Sequence, residues 1–222
     1  MSTDNSGDLV ERSRDVHLLV NHLPRHNWQT PLSDLPTDAI YFFLELGETV
    51  QVASQTVDRV VRVGTHRRDG RFRGRIRQHY GAVGSLTGNK NSSVFRKHVG
   101  GAVLRKRNPG DARLLEWLMQ NAPTFTEVEQ AVSQILHDIF TFACIQVDDA
   151  EERLSLERGL IGLLAQYPVG QPSCGWLGHH AAAQAVRASG LWNTQHVAAP
   201  PLTEREYCRL RMLAEAAIRR DH

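Results

Sequence analysis

No stretch of this 222-residue chain approaches the unbroken run of about 20 apolar residues that a membrane helix needs. The polar start, Met1 to Asp8, also lacks the pattern of a secretory leader. A soluble, cytoplasmic protein is therefore expected. Cysteine is scarce too: Cys144, Cys174 and Cys208 are odd in number and widely separated, which excludes a disulfide framework and the close pairs of a zinc knuckle. They read as free thiols. Cys174 with His179 and His180 has no convincing fourth ligand, so no zinc site is expected there. No internal repeat is visible.

Acidic residues are nearly missing from one long region. Between Arg62 and Arg107 there are thirteen Lys or Arg and one acid, Asp69, whereas the rest of the chain carries thirteen basic and twenty-three acidic residues. The formal net charge of +2 hides this asymmetry. A one-sided positive field suits a polyphosphate and makes binding salt-dependent through counterion release. An ordinary solvated surface would intersperse acids among the bases, so nucleic acid is the expected partner. Arg67, Arg71, Arg73, Arg77, Lys90, Arg96, Lys97 and His98 are the candidate contacts. An acidic protein docked on the same face is the alternative partner.

Apolar spacing predicts a helix over Leu9 to Leu23 that Pro24 stops. Ile40 to Leu46 and Val57 to Val63 are rich in β-favouring residues, and with Gly47-Glu48 as the turn region they predict an antiparallel hairpin. A short helix over Phe72 to Tyr80 carries Phe72 and Ile76 inward. Gly81 to Asn91 reads as a loop, and Ser92 or Ser93 as the cap of the helix after it. Further helices are expected over Ala112 to Met119 and Thr126 to Ile139, the second opened by a capping box at Thr124 or Thr126. A strand, Thr141 to Val147, and a helix, Asp149 to Gln166, follow. Beyond Pro168 come a Gly- and Pro-bearing connection, a helix over His180 to Ala188 and a last one over Thr203 to Arg219. Residues 1–37 are expected as an N-terminal helical extension, 38–167 as the domain, and 168–222 as a helical tail packed upon it. Trp176, Trp192 and Asn193 fall in that tail, where packing onto the core is favoured over nucleotide contact.

Three sets of side chains suggest chemistry. On the helix Asp149 to Gln166, Glu157 is expected on the same face as Ala150, Leu154, Ile161 and Leu164. A carboxylate in such a place needs an arginine, a hydrogen-bond network or a metal ion. Arg75 and His79 stand four apart on one helix face; a guanidinium fork and an imidazole suit an anionic phosphorane. Tyr41 lies in the first strand, where a half-buried packing role is the ordinary alternative.

Taken in order, Ile40-Tyr41, Val63-Gly64, Arg75, His79 and Glu157 resemble the GIY-YIG nuclease superfamily. The stretches Arg62-Val63-Gly64-Thr65-His66, Arg75-Ile76-Arg77-Gln78-His79 and Ser93-Val94-Phe95-Arg96-Lys97-His98-Val99-Gly100 are similar to stand-alone bacterial members. The resemblance implies an α+β fold, with a small three-stranded antiparallel sheet flanked by helices and helical extensions at both ends. It also implies a DNA endonuclease using one divalent cation, magnesium with manganese as the alternative. Glu157 would be the metal ligand, Tyr41 would help to deprotonate the attacking water, Arg75 would stabilise charge on phosphorus, and His79 would assist through a hydrogen bond. Ala39 stands where the first motif has glycine. Arg62 stands where the second motif has tyrosine; a guanidinium cannot act as a base near neutral pH, but it can grip a phosphate or favour the Tyr41 phenolate. Asn193 is a distant counterpart for the late asparagine of the superfamily.

Overall fold

The computed structural model describes residues 6–82 and 84–220; the first five residues of the polar start, and residue 83 of the Gly81–Asn91 loop, lie outside them. Three strands form one antiparallel sheet in the order β2-β1-β3: β1 (Ala39–Val52), β2 (Gln55–Gly64) and β3 (Phe140–Gln146). From Ala39 to Glu45, β1 is buried on both sides. That is why it reads as a near-continuous apolar run instead of an alternating one. The pleat still divides its side chains. Ile40, Phe42 and Leu44 join the core that holds α1 (Ser6–His22), α6 (Ala150–Gln166) and α8 (Glu204–Arg220). Tyr41 and Phe43 face the opposite layer, with α2 (Phe72–Tyr80), α3 (Val94–Arg107), α4 (Arg113–Leu118) and α5 (Thr126–Ile139). With α7 (Gln184–Ser189), eight α-helices surround the sheet among the described residues. The expected α+β architecture is observed.

The hairpin differs in one respect. Gly47-Glu48 is not its turn: β1 continues to Val52, and the reversal falls at Ala53-Ser54, with Ala53 at φ 53°. Gly47, at φ 87°, lies where the register slips between Leu44 and Thr49. The glycine therefore marks a bulge, which wants a left-handed residue as a tight turn does. The helices over Phe72–Tyr80 and Thr126–Ile139 match expectation to the residue. Ser93 caps α3, its Oγ accepting the Arg96 N–H at 3.2 Å. No capping box opens α5, whose N-cap is Phe125. The single helix expected over His180–Ala188 is a 3-10 turn, Leu177–His180, followed by α7, which Gly190 ends in a left-handed conformation.

The tail after Pro168 is built into the sheet. Strand β2 is an edge of the sheet, and an edge leaves a row of unpaired backbone groups. Trp192 N–H donates to Val61 O at 2.7 Å, and the Asn193 amide both accepts from Val63 N–H (3.1 Å) and donates to Val63 O (2.8 Å). Two buried carboxylates hold the approach to this strap. Trp176 and Trp192 both donate their indole N–H to Glu45 Oε2 at 3.0 Å, and burial pushes the Glu45 carboxyl up to about 7. Glu48 pairs with Arg59 at 2.7 Å, and Arg59 donates on to Gly190 O at 2.6 Å.

Candidate active site

At the end of β1–β2 nearest Tyr41, a cleft of about 430 Å³ opens between the β2–α2 connection, α2, the start of α3, α6 and the strap. Tyr41, Arg62, Arg75 and Glu157 all line it. These residues come from β1, β2, α2 and α6, so the fold and not local sequence brings them together.

Tyr41 faces Gly64 across the sheet register. Its ring is fully buried between Phe72 and Phe43, with centroids 5.9 and 5.7 Å away. The ring occupies the place where a side chain at position 64 would stand: a Cβ there would lie 2.7 Å from Tyr41 Cε2 and closer still to Cζ and Oη. The glycine of the second motif is thus the space that the tyrosine of the first motif fills. Tyr41 Oη lies 2.8 Å from His79 Nε2, and His79 Nδ1 lies 2.8 Å from Ser93 Oγ. His79 is completely buried. Burial first, then the charges of Arg75, Arg62 and Arg96, push its pKa well below the ordinary histidine value, so the ring is neutral. A neutral imidazole can give a proton at one nitrogen and take one at the other, which links Ser93 to the tyrosine hydroxyl.

Glu157 is not in the middle of the buried face of α6. Of the residues expected on its face, Ile161 and Leu164 are buried in the core, as are Arg153, Leu156, Leu160 and Leu163 beside them, whereas Leu154 is exposed and Ala150 half-buried. Glu157 sits at its border, beside the cleft. The Thr65 N–H donates to Glu157 Oε1 at 3.0 Å. Burial raises the carboxyl pKa, against the opposing pull of Arg62, this hydrogen bond, Arg75 and Arg67. Arg75 uses Nη1 on Ser92 O (3.0 Å) and Gln78 Oε1 (3.3 Å), which anchors the guanidinium at the cleft wall with its other nitrogens available. Arg62 is buried, donates from Nη1 to Trp192 O at 2.6 Å and lies 5.1 Å over the Phe95 ring; its Nε has no hydrogen-bond partner among the described residues. Its charge is thus fixed beside Tyr41 by the strap.

Of the expected nucleic-acid contacts, Arg67 and Arg71 line the cleft, and Arg68 joins them. Arg77 is exposed and Lys97 half-exposed, but neither lines the cleft. Arg73 reaches the other way, to Leu35 O at 2.6 Å and Ser33 O at 3.1 Å. Lys90, Arg96 and His98 are corrected: all three are buried. Arg96 grips Glu129 through Nε and Nη2 at 3.0 and 2.7 Å and also bonds His79 O and Ser133 Oγ, so its donors are consumed inside. Lys90 Nζ is held by Met119 O at 3.1 Å, and burial holds His98 down to about 4. Periodicity could not show this, because Glu129 is 33 residues from Arg96. Residues missed on the sequence alone are Thr65, Arg68 and the strap residues Thr194, Gln195 and His196, which line the cleft with Asn193. The Thr65-His66 stretch after Val63-Gly64 was the available signal for the first; the strap offered none beyond Asn193.

The sequence pattern of a family described as GIY-YIG domain matches residues 20–216. The chain belongs to the GIY-YIG domain family. The match runs through the strap and most of α8, in keeping with a tail that completes the sheet edge and the cleft. No curated protein and no solved structure matches the chain. A GIY-YIG domain carries a nuclease-type scaffold, and no helix among the described residues is long and apolar enough to cross a membrane.

The buried histidines give this scaffold a pH signature. His17 is held down to about 3 by burial and the Arg59 charge, His98 to about 4, and His79 is depressed also. In the unfolded chain each takes a proton near pH 6.5, but in the fold it does not. Their stabilisation is present above pH 6.5 and is lost as pH falls below it. Glu45 and Glu157, raised by burial, oppose the trend, but three histidines outweigh two carboxyls. Urea unfolding is expected to give a lower midpoint at pH 5 than at pH 7.5; a higher midpoint at pH 5 would show that these rings are not buried neutral.

Proposed function

We propose that this protein is a metal-dependent DNA endonuclease that hydrolyses a phosphodiester bond in the cleft. The observation that carries this reading is the meeting of the Tyr41 hydroxyl, the Arg75 guanidinium and the Glu157 carboxylate, from three separate elements, around one basic cleft. Glu157 is a hard oxygen ligand whose buried carboxyl gains from a cation, and among the described residues only one of its oxygens takes a protein hydrogen bond. No group of three or more His, Cys, Asp or Glu side chains suited to a metal gathers among the described residues. This donor set fits magnesium, which keeps several waters and takes one or two carboxylates together with substrate phosphate oxygens. Bound there, the cation would polarise the phosphate and stabilise the leaving oxygen.

The remaining roles belong to side chains. Arg75 stabilises the negative charge that develops on the phosphorane oxygens. Tyr41 helps to take the proton of the attacking water by passing its own hydroxyl proton to Nε2 of the neutral His79 ring, 2.8 Å away, whose Nδ1 is fixed by Ser93 Oγ. Arg62 supplies a second fixed positive charge beside Tyr41, where the superfamily motif has a tyrosine. Arg67 and Arg71, with Arg68, attract the polyanion.

A second reading, a DNA-binding or repair-accessory module without turnover, rests on Arg62 in that position. One panel separates the two: linear, nicked, branched and modified DNA incubated with magnesium or manganese, and with EDTA. The endonuclease predicts metal-dependent nicking or cutting of at least one substrate. Salt-sensitive binding with every substrate left intact would overturn it in favour of the accessory module. Binding to an acidic protein that survives salt sufficient to release DNA would overturn both.

A further inference from the structure

The single acid of the basic segment does not neutralise its neighbours. Asp69 lies between Arg67-Arg68 and Arg71, yet its Oδ1 accepts from Arg153 Nη2 at 2.9 Å, 84 residues away on α6. Arg153 is fully buried and also donates from Nη1 to Val147 O (2.8 Å) and Asp148 O (2.9 Å). Asp38, just before β1, stands 3.7 Å from the same guanidinium, and it accepts the Gly70 N–H at 2.8 Å. His66 adds two ties: its Nδ1 donates to Arg68 O at 2.8 Å, and its Nε2 accepts the Ala39 N–H at 3.3 Å. The Thr65 N–H bond to Glu157 holds the start of the same loop. Residues 65–71 are therefore fastened at both ends to the helix that carries Glu157, one turn beyond Arg153.

The consequence is electrostatic. Arg67, Arg68 and Arg71 are exposed, all three line the cleft, and among the described residues no ion pair or side-chain hydrogen bond engages them. Three unpaired guanidiniums within five residues repel one another unless the backbone holds them, and a free Asp69 would collapse onto the nearest. We propose that residues 65–71 form a preorganised grip for the phosphodiester backbone flanking the reacting phosphate, and that Asp69 and Arg153 are positioning residues that keep the arginines open toward the cleft. This rests on the reading of the cleft as a DNA site and adds a second phosphate subsite to it.

The test is DNA binding by the full chain in EDTA, read by anisotropy of a labelled oligonucleotide across a salt series. Asp69→Asn is decisive because two accounts give opposite signs. If Asp69 were only a negative charge in a positive field, its removal would tighten binding. The latch predicts weaker binding, by roughly fivefold, together with a raised KM and a kcat within about twofold of the parent. Combined Arg67→Ala, Arg68→Ala and Arg71→Ala should flatten the slope of log affinity against log salt by about 2 to 3. Tighter binding by Asp69→Asn, or an unchanged slope in the triple variant, would overturn the grip while leaving the cleft reading intact. An unmodified chain that binds no DNA at all would overturn the cleft reading itself. Circular dichroism melts of each variant identify unfolding as a separate cause.

Discussion

Gly64→Ala is expected to lower cleavage by about a hundredfold or more while leaving a folded protein. The added methyl has nowhere to go: it would meet the Tyr41 ring, 2.7 Å from Cε2 and nearer to Cζ and Oη, and that ring is itself wedged against Phe72, Phe43 and His79. Either β2 or the tyrosine must shift. Overpacking of this kind costs about 1–3 kcal/mol, and displacement of a reacting group by about 1 Å is enough for a hundredfold loss. Tyr41→Phe is the companion variant. It removes the hydroxyl and the 2.8 Å contact with His79 but keeps the ring, so its stability should fall by only about 1 kcal/mol, with a comparable loss of activity. Cleavage assays and urea titrations on the two proteins separate position from chemistry. A Gly64→Ala protein with full activity would show that Tyr41 Oη need not stay where the sheet holds it.

Glu157→Gln should have the largest effect on turnover, about a thousandfold or more, because it removes the charge that would hold the cation while preserving the shape. The amide oxygen can still accept from Thr65 N–H, now at 3.0 Å from the carboxylate, so the fold should persist. The carboxyl pKa is raised by burial, so neutralising the group relieves a desolvation cost and should not lower the melting temperature. DNA affinity in EDTA should stay equal or rise, since one negative charge leaves a cleft lined by five arginines. Cleavage by Glu157→Gln at the parent rate would remove this residue from the mechanism.

How much of this was legible in the chain depended on the range of the physics. The hairpin strands and the helices over Phe72–Tyr80 and Thr126–Ile139 were readable, since apolar spacing and β-favouring residues act locally. The order of Tyr41, Val63-Gly64, Arg75, His79 and Glu157 was readable as a family pattern, and the cleft does gather Tyr41, Arg75 and Glu157. Charge could be counted but not placed. Arg96 and Lys97 are neighbours in sequence, yet Arg96 lies inside against Glu129 while Lys97 reaches the surface. The reason is that Arg96 finds Glu129 on α5, whose Oε2 accepts from both its Nε and Nη2, a pairing no local rule contains. Gly47 has the same signature at a bulge as at a turn. Asn193 could be named as a distant counterpart of the late asparagine, but nothing in its surroundings shows that the open edge of β2 will accept it as a partner.

If the side chains of β1 and α6 serve one reacting phosphate, a double-variant cycle measures that convergence directly. Single-turnover cleavage rates would be taken with magnesium for Tyr41→Phe, Glu157→Gln and the protein carrying both. Groups that act as a unit are not additive, so the double variant is expected to be about as slow as the slower single one. Losses that simply multiply, or a Tyr41→Phe protein that cuts DNA as fast as the parent, would contradict a shared catalytic centre.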